Sequence, residues 1–200
     1  MIAPTLAAIT VIVPVRNNPT GIARLLSWWL ELAPVARPRE LLVVDDGSRV
    51  PVHVVGEAVR VIRIKPAGPA AARNAGWISA ATEWCAFLDS DCVPDAGWPA
   101  QFAEAWDGEI AVQGRVRALG TDRVSRFYES QRTLEPMLWT THGRPQYLIT
   151  ANALVHRAAL HHVGGFDPRF PLAGGEDVDI GYRLAQFGAL RFCPSAGVAH

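Results

Sequence analysis

Residues 85–91 read Cys-Ala-Phe-Leu-Asp-Ser-Asp, a short apolar run that stops at two acids. The apolar part, Cys85–Leu88, is typical of a buried strand, and Asp89-Ser90-Asp91 then forms the turn that closes it. Two carboxylates at positions i and i+2 of a tight turn can face one ligand, and hard divalent cations prefer such oxygen ligands. The pattern alone is weak, because it also occurs in solvated turns, so its weight depends on what surrounds it.

The same arrangement, an apolar strand that ends in polar residues, recurs towards the N-terminus. The apolar runs predict three further strands, at Thr10–Val15, Leu41–Val44 and Val59–Ile64. The intervening spacing predicts two helices, Thr20–Leu32 with Thr20 as N-cap and Pro69–Ala81 with proline in its first turn. Strands that alternate with helices at this spacing predict an α/β fold with a mostly parallel sheet.

The second half of the chain is less regular. Its apolar runs predict strands at Glu109–Ala118, Thr150–Val155 and Leu190–Cys193, and helical spacing recurs over Glu176–Gln186. Between them lies a long polar and aromatic stretch, Asp122–Tyr147, with a partly helical pattern.

Polar side chains collect at the predicted strand ends. They are Arg16 and Asn17 after the first strand, Asp45, Asp46 and Ser48 after the second, and Asp89 and Asp91 after the fourth. In open α/β sheets ligands bind outside the carboxyl ends of the strands. The sequence therefore predicts a ligand site on that edge of the sheet.

Two further segments carry candidate residues. Arg73 is a charge on an otherwise apolar, alanine-rich helix, where it suits a base or a phosphate. Neither GxxxxGKS/T nor GxGxxG precedes that helix, so the common phosphate-loop motifs are excluded. Glu176-Asp177-Val178-Asp179 follows two glycines. The helix dipole favours acids at this position, and a flexible glycine pair also suits a movable general base.

Composition excludes several classes of protein. The 200 residues are half hydrophobic, which suits one folded domain, and 19 basic residues balance 19 acidic ones. A net charge of zero argues against nucleic acid as the main partner. Three cysteines without a CxxC pattern (Cys85, Cys92, Cys193) indicate free thiols in a reducing compartment.

The sequence also bears on location. No apolar run reaches the roughly 18 residues of a membrane span. The N-terminal stretch lacks the basic start of a signal peptide. We therefore expect a cytoplasmic protein. The apolar cluster Trp28-Trp29-Leu30 leaves a peripheral contact with the inner face of the membrane open.

Six short motifs together resemble family 2 glycosyltransferases. In chain order they are IVPVRN (12–17), VVDDGS (43–48), ARNAG (72–76), FLDSD (87–91), GGFD (164–167) and GEDVD (175–179), with Arg183. Each is weak, but six in order over nearly the whole chain are a strong signal. The segments GPAAARNAG, FLDSDCVP and GEDVD also resemble the mycofactocin-type glycosyltransferases, which belong to peptide-derived redox-cofactor pathways.

The resemblance implies a GT-A fold, with a Rossmann-like, mostly parallel central sheet flanked by helices. It implies one domain over residues 1–200, with a nucleotide-sugar-binding half (1–115) and an acceptor-binding half that carries the catalytic base (116–200). Many relatives continue beyond the point where this chain stops, so the resemblance also predicts a core taken from a longer protein. No QxxRW follows Asp177, which argues against a processive synthase.

The resemblance further implies a metal-dependent, inverting transfer of sugar from a nucleoside-diphosphate sugar to an acceptor hydroxyl. UDP is the favoured nucleotide because it is the most frequent in the family. The acceptor stays open between a glycan, a peptide-derived molecule and a lipid-linked one. The stretch 116–147 would shape its pocket, where Tyr128, Trp139 and Tyr147 are candidates to stack on a sugar.

Residue roles follow from the resemblance where the motifs match. On the donor side, Pro14 and Arg16 would line the nucleotide pocket, Asp46 would bind the base, Arg73 the base or adjacent donor groups, and Asp89 the ribose or donor sugar. Asp91, with His200 as a further ligand, would hold Mn²⁺ or Mg²⁺. Asp177 would be the catalytic base, supported by Glu176.

Two alternatives to this function remain. One is a non-catalytic domain that binds sugar nucleotides or glycans. The other is a nucleotidyltransferase, disfavoured because residues 14–19 lack the glycine-rich loop expected of that class.

Overall fold

Parallel strands at the centre of one sheet organise the fold. The structure is a computed structural model, and it describes residues 1–131, 134–136 and 144–200. The strands are β1 (Ile9–Val15), β2 (Glu40–Asp46), β3 (Val59–Ile64), β4 (Trp84–Leu88), β5 (Val93–Pro94), β6 (Ala111–Arg117), β7 (Asn152–His156) and β8 (Leu190–Ala199). The helices are α1 (Pro19–Glu31), α2 (Pro69–Ser79), α3 (Trp98–Ala105), α4 (Arg123–Gln131), α5 (Arg157–Val163) and α6 (Glu176–Phe187).

The sheet order is β3-β2-β1-β4-β7-β6-β8-β5. Strands β3, β2, β1 and β4 are parallel, β7 runs antiparallel to β4 and β6, and β8 is parallel to β6. The mostly parallel α/β sheet predicted from the sequence is therefore confirmed. Residue 115, the predicted boundary between two functional halves, falls inside β6, and the assignment of those halves stays a prediction.

Helices cover both faces of the sheet, which explains why its central strands are apolar at successive positions. Val11 and Val13 of β1 pack into one core layer with Trp29 of α1. Ile12 points to the other layer, where α2 and α6 pack. The first layer also contains Trp98 of α3, a helix that our sequence analysis missed.

Two local predictions were wrong. The N-cap of α1 is Asn18, whose side chain accepts a hydrogen bond from the Gly21 amide; Thr20 lies inside the helix. Strand β8 does not end at Cys193 but continues to Ala199, because a register shift between Gly114 and Arg115 of β6 absorbs the interruption around Pro194. The extension carries the chain to the same edge of the sheet as the end of β4.

Helix α6 approaches the segment before β7 closely, and Gly181 makes this possible. A Cβ atom on Gly181 would lie 2.3 Å from the Leu148 nitrogen and 2.5 Å from Tyr147 Cα. Both neighbours are backbone atoms and cannot rotate away.

Substitution of Gly181 by alanine is therefore expected to lower the free energy of unfolding by about 1–3 kcal/mol, the usual cost of overpacking. Thermal or denaturant unfolding would measure the loss. Gln186→Ala on an exposed part of the same helix is the matched control, and it should leave stability unchanged. Equal stability of the two variants would contradict the close packing of α6.

The three cysteines are buried, and so are, fully or in part, both tryptophans of the cluster Trp28-Trp29-Leu30. Cys85, Cys92 and Cys193 are buried and form no disulfide, as expected. Trp29 is fully buried and only Leu30 of the cluster 28–30 is exposed, so these residues do not form a continuous apolar patch. Within the described residues no helix combines the length and apolarity needed to cross a membrane.

Candidate active site

The candidate site lies where the direction of strand order reverses. From β1 the chain proceeds to β2 and β3 on one side, and β4 is the neighbour of β1 on the other. The pairing of β1 with β4 ends at Ile12 and Phe87, whereas β1 continues to Val15, so the two strands separate at their carboxyl ends. Such a crevice is the usual ligand site of an open α/β sheet.

Loops at this edge are tied to one another. The Asn18 side-chain amide donates to the Ser90 hydroxyl over 3.1 Å, which joins the loop after β1 to the Asp-Ser-Asp turn. The backbone amide of Asn17 donates to the Ser48 hydroxyl over 2.9 Å, which joins the loop after β1 to the loop after β2. The three strand ends predicted to form the site are therefore brought together.

Asp91 and His200 meet at the edge, although 109 positions separate them in the sequence. His200 Nε2 lies 3.4 Å from Asp91 Oδ1. The His200 amide donates to the Arg117 carbonyl, and its own carbonyl accepts from Leu119, so its backbone extends β8. The hydrogen bond between the two side chains lowers the pKa of Asp91 and raises the pKa of His200, against the opposing effect of burial in each case.

The donor set at this position suits a divalent cation. Ligands in a site with metal–oxygen distances of about 2.1 Å lie roughly 3 Å apart, close to the separation of these two side-chain atoms. Cys92 falls in the same cluster of potential ligands. Its Sγ donates to the Ala151 carbonyl, and burial, followed by the negative charges of Asp89 and Asp91, raises the pKa of its thiol. The residues that fit a cation are therefore the carboxylate and the imidazole.

The predicted nucleotide residues lie on the other side of the crevice. Pro14 is half-buried within β1, and Arg16 is exposed, with its guanidinium 3.9 Å from an Asp46 oxygen. Asp46 is buried, and its two oxygens accept hydrogen bonds from the amides of Ala67 and Gly68 before α2. Each oxygen keeps a second lone pair, so the predicted contact to a base stays a prediction.

Asp45, beside it, has a local role. It accepts from the Ser48 and Val52 amides and pairs with Arg63 over 2.6 Å. Burial opposes ionisation of Asp45, but these hydrogen bonds and Arg63 lower the pKa of its carboxyl overall.

Arg73 is the residue whose surroundings differ most from the expectation. Only 5% of its side chain is exposed, and it lies between two acids. Its guanidinium donates to Asp89 over 2.8 Å and to Glu176 over 2.8 Å. The charge on the apolar face of α2 is thus balanced within the protein. The contact of Arg73 with the donor stays a prediction.

The three acids at the start of α6 are distinguished by their partners. Glu176 is buried against Arg73, and Asp179 pairs with Arg183 one turn later. Among the described residues Asp177 forms no ion pair, and its side chain accepts a hydrogen bond from the Val178 amide. Burial, and then the negative charge of Glu176, raises the pKa of Asp177. Of the three, Asp177 is the carboxylate free to take a proton.

Two residues that lie in or beside the quoted motifs, without a role assigned from the sequence, hold this region. Asn74 donates to the Phe166 carbonyl and accepts from the Phe166 amide, so it clamps the GGFD turn to α2. Arg183 donates to the carbonyls of Val163 and Gly165 and fastens α6 to the same turn. The presence of Asn74 on the alanine-rich helix was an available signal, because a polar side chain there needs a partner as much as Arg73 does.

The expected acceptor side is described only in part. Tyr147 is buried, with its ring 6.3 Å from that of Tyr182. Trp139 lies outside the described residues, as does the side chain of Tyr128. His161 and His162 are exposed on α5, and we assign them no role in the site.

Comparison with known proteins defines the class. The model of the family described as glycosyl transferase family 2 matches residues 10–164. The chain is 36% identical to the pre-mycofactocin glycosyltransferase of Mycobacterium tuberculosis, in two strains, over 98% of its own length. It spans 43% of the length of these curated relatives.

Solved structures show the same fold at low identity. GalNAc-T7 with UDP, GalNAc and Mn²⁺ superposes with a TM-score of 0.73 at 18% identity, over 98% of this chain and 44% of that one. The mannosyltransferase PcManGT of Pyrobaculum calidifontis, with GDP-Man and Mn²⁺, gives 0.69 at 22% identity, over 96% and 56%. These likenesses establish the GT-A fold.

The chain is therefore a member of glycosyltransferase family 2. Within that family it is similar to a pre-mycofactocin glycosyltransferase, as the motifs indicated.

Proposed function

We propose that this domain transfers a sugar from a nucleoside-diphosphate sugar to an acceptor hydroxyl with inversion, that the transfer needs a divalent cation, and that Asp177 is the general base. The observation that carries the proposal is an unpaired carboxylate, Asp177, directly after Glu176, which Arg73 joins to Asp89 of the Asp-Ser-Asp turn. Family membership supports the reaction class, and the Mn²⁺ in GalNAc-T7 and PcManGT supports the cation.

In the proposed mechanism the donor lies across the carboxyl ends of β2, β1 and β4. Asp46 and Arg16 bind the base beside Pro14, and Asp89 uses its oxygen not held by Arg73 for the ribose or donor sugar. Asp91 and His200 would hold Mn²⁺ or Mg²⁺. Once bound, the cation would offset the charge of the departing nucleoside diphosphate.

Asp177 completes the reaction. It accepts the proton of the acceptor hydroxyl while the acceptor oxygen bonds to the anomeric carbon, and the bond from that carbon to the diphosphate breaks. A single displacement inverts the anomeric centre, so an α-linked donor gives a β-linked product. The raised pKa of Asp177 suits the role, because a base works best with a pKa nearer the working pH.

The substrates are proposed from relatives. UDP-sugar is the proposed donor, in keeping with UDP in the GalNAc-T7 structure, and PcManGT with GDP-Man keeps GDP as the alternative. The similarity to a pre-mycofactocin glycosyltransferase supports a peptide-derived acceptor of that kind.

Calorimetric titration of UDP, GDP and dTDP, each with and without Mn²⁺, tests the donor site. We expect UDP to bind, and to bind far more weakly once the cation is removed, because the diphosphate would otherwise face Asp89 and Asp91. Failure of all three nucleotides to bind folded protein would contradict the donor site, and binding indifferent to Mn²⁺ would contradict the cation. The anomeric configuration of the product, read by NMR, tests inversion separately.

A non-catalytic domain that binds sugar nucleotides is the second candidate, because it would share every donor contact. It predicts nucleotide binding without turnover. The Asp177 variant in the Discussion separates the two.

A further inference from the structure

A buried ion network joins the donor side of the crevice to the helix that carries the base. Arg73 of α2 bridges Asp89 of the Asp-Ser-Asp turn and Glu176 at the start of α6, with both contacts at 2.8 Å. The guanidinium also lies over the Phe166 ring, 5.8 Å from its centroid. Glu176 is 103 positions away from Arg73 in the sequence, so the contact exists only in the folded chain.

The second oxygen of Glu176 holds the turn before the helix. It accepts a hydrogen bond from the Gly174 amide over 2.8 Å. Gly174 and Gly175 adopt φ of +117° and +99°, which side-chain-bearing residues rarely adopt, so the turn has little rigidity of its own. The carboxylate of Glu176 therefore supplies the restraint that the glycines lack, immediately before Asp177.

This inference rests on the proposed function. We propose that Arg73 and Glu176 are positioning residues, which hold the Gly174–Gly175 turn and thereby set Asp177 relative to the donor bound at Asp89. Neither residue needs to touch substrate, since only 5% of the Arg73 side chain and 4% of the Glu176 side chain are exposed. A buried guanidinium with two planar contacts gives a direction to both carboxylates that a single ammonium cannot.

The Nε atom of Arg73 suggests a competing role, that of a ligand to the donor. This atom is buried and has no hydrogen-bond partner among the described residues. If the donor reached this atom, Arg73 would be a donor ligand, and its replacement would weaken nucleotide binding. A positioning role of Arg73 thus affects turnover, whereas a role as donor ligand affects nucleotide binding.

Arg73→Lys and Glu176→Gln test the proposal, because both keep approximate size and disturb the network. We expect kcat to fall about 10- to 100-fold in each, the cost of a misplaced catalytic group. The Kd for nucleotide should be unchanged. Glu109→Gln is the matched control, since Glu109 is also buried against an arginine, Arg191, but at the opposite edge of the sheet. It should alter stability and leave kcat unchanged.

The pH dependence of kcat adds a readout that a merely structural role would not move. The charged and titratable groups that act on or respond to Asp177 are Glu176 of its own helix, Arg73 of α2 and Tyr147 before β7. The negative charge of Glu176 raises the pKa of Asp177, so its removal in Glu176→Gln should shift the acidic limb of the kcat–pH profile to lower pH. Arg73→Lys keeps its charge, so it should leave the limb in place while lowering kcat.

Hydrogen exchange keeps the test independent of turnover. The Gly174 amide and the first turn of α6 should exchange faster in both variants than in the wild type, with protection elsewhere retained. Weakened nucleotide binding in Arg73→Lys, in proportion to its loss of kcat, would assign Arg73 to the donor and overturn the inference. So would wild-type kcat together with wild-type exchange in both variants. An inactive wild type would contradict the proposed function, and exchange would still decide the positioning role.

Discussion

Replacement of Asp177 by asparagine is expected to lower kcat by about 10²- to 10⁴-fold, the range that general-base catalysis contributes. The amide keeps the size of the side chain and can still accept the hydrogen bond of the Val178 amide, so the start of α6 should remain intact. It cannot take the acceptor proton. Steady-state transfer assays would measure kcat, and calorimetry should find nucleotide affinity unchanged.

The neighbouring acid supplies the control for this experiment. Asp179→Asn removes an equal charge from the same helical turn, but Asp179 already pairs with Arg183. Its loss should cost little activity, because Arg183 keeps its hydrogen bonds to the carbonyls of Val163 and Gly165. Wild-type turnover in Asp177→Asn would exclude Asp177 as the base, and a wild type that binds donor without any turnover would favour the non-catalytic alternative.

Replacement of Asp91 by alanine is the second large effect that we expect, and it falls on binding. Nucleotide affinity in the presence of Mn²⁺ should drop by about 100-fold, since even the loss of an outer partner of a metal ligand costs about 10- to 100-fold in metal affinity. Affinity without the cation should hardly change. The measurement is the calorimetric titration already described, repeated on the variant.

A distant exposed acid distinguishes this effect from a general loss of negative charge. Asp107 lies at the opposite edge of the sheet with 84% of its side chain exposed, so Asp107→Ala should bind as the wild type does. His200→Ala should lose part of the same Mn²⁺-dependent affinity. If Asp91→Ala retained the full response to Mn²⁺, the cation would have to be held elsewhere.

Strands and helices of the first half were predictable because each carries its own signal. Val59–Ile64 was predicted at its observed bounds, and Pro69–Ala81 differs from α2 by two residues. Buried parallel strands consist of continuous apolar runs that local sequence reveals. The extension of β8 was not predictable, since Pro194 suggests an end and only pairing with β6 shows that the strand resumes.

The candidate site was predictable in its members more than in its contacts. The topology rule for α/β sheets places polar residues from strand ends together without knowledge of their side-chain geometry. Asp91 and His200 were both named as metal ligands from the family resemblance, and they lie side by side. Arg73 was named for the donor, yet its guanidinium lies between two acids.

Sequence by itself therefore determined the class of fold, the family and the edge of the sheet where the candidate site residues meet. These depend on patterns that repeat along the chain: apolar runs, turns and the order of short motifs. Only the tertiary structure decided which of three adjacent acids is unpaired, and which acids balance Arg73. For Glu176 the deciding partner is Arg73, 103 positions away in the sequence, and packing of α2 and α6 on one face of the sheet brings the two into contact. Burial then makes those pairings obligatory, because an uncompensated charge in the interior is too costly to persist.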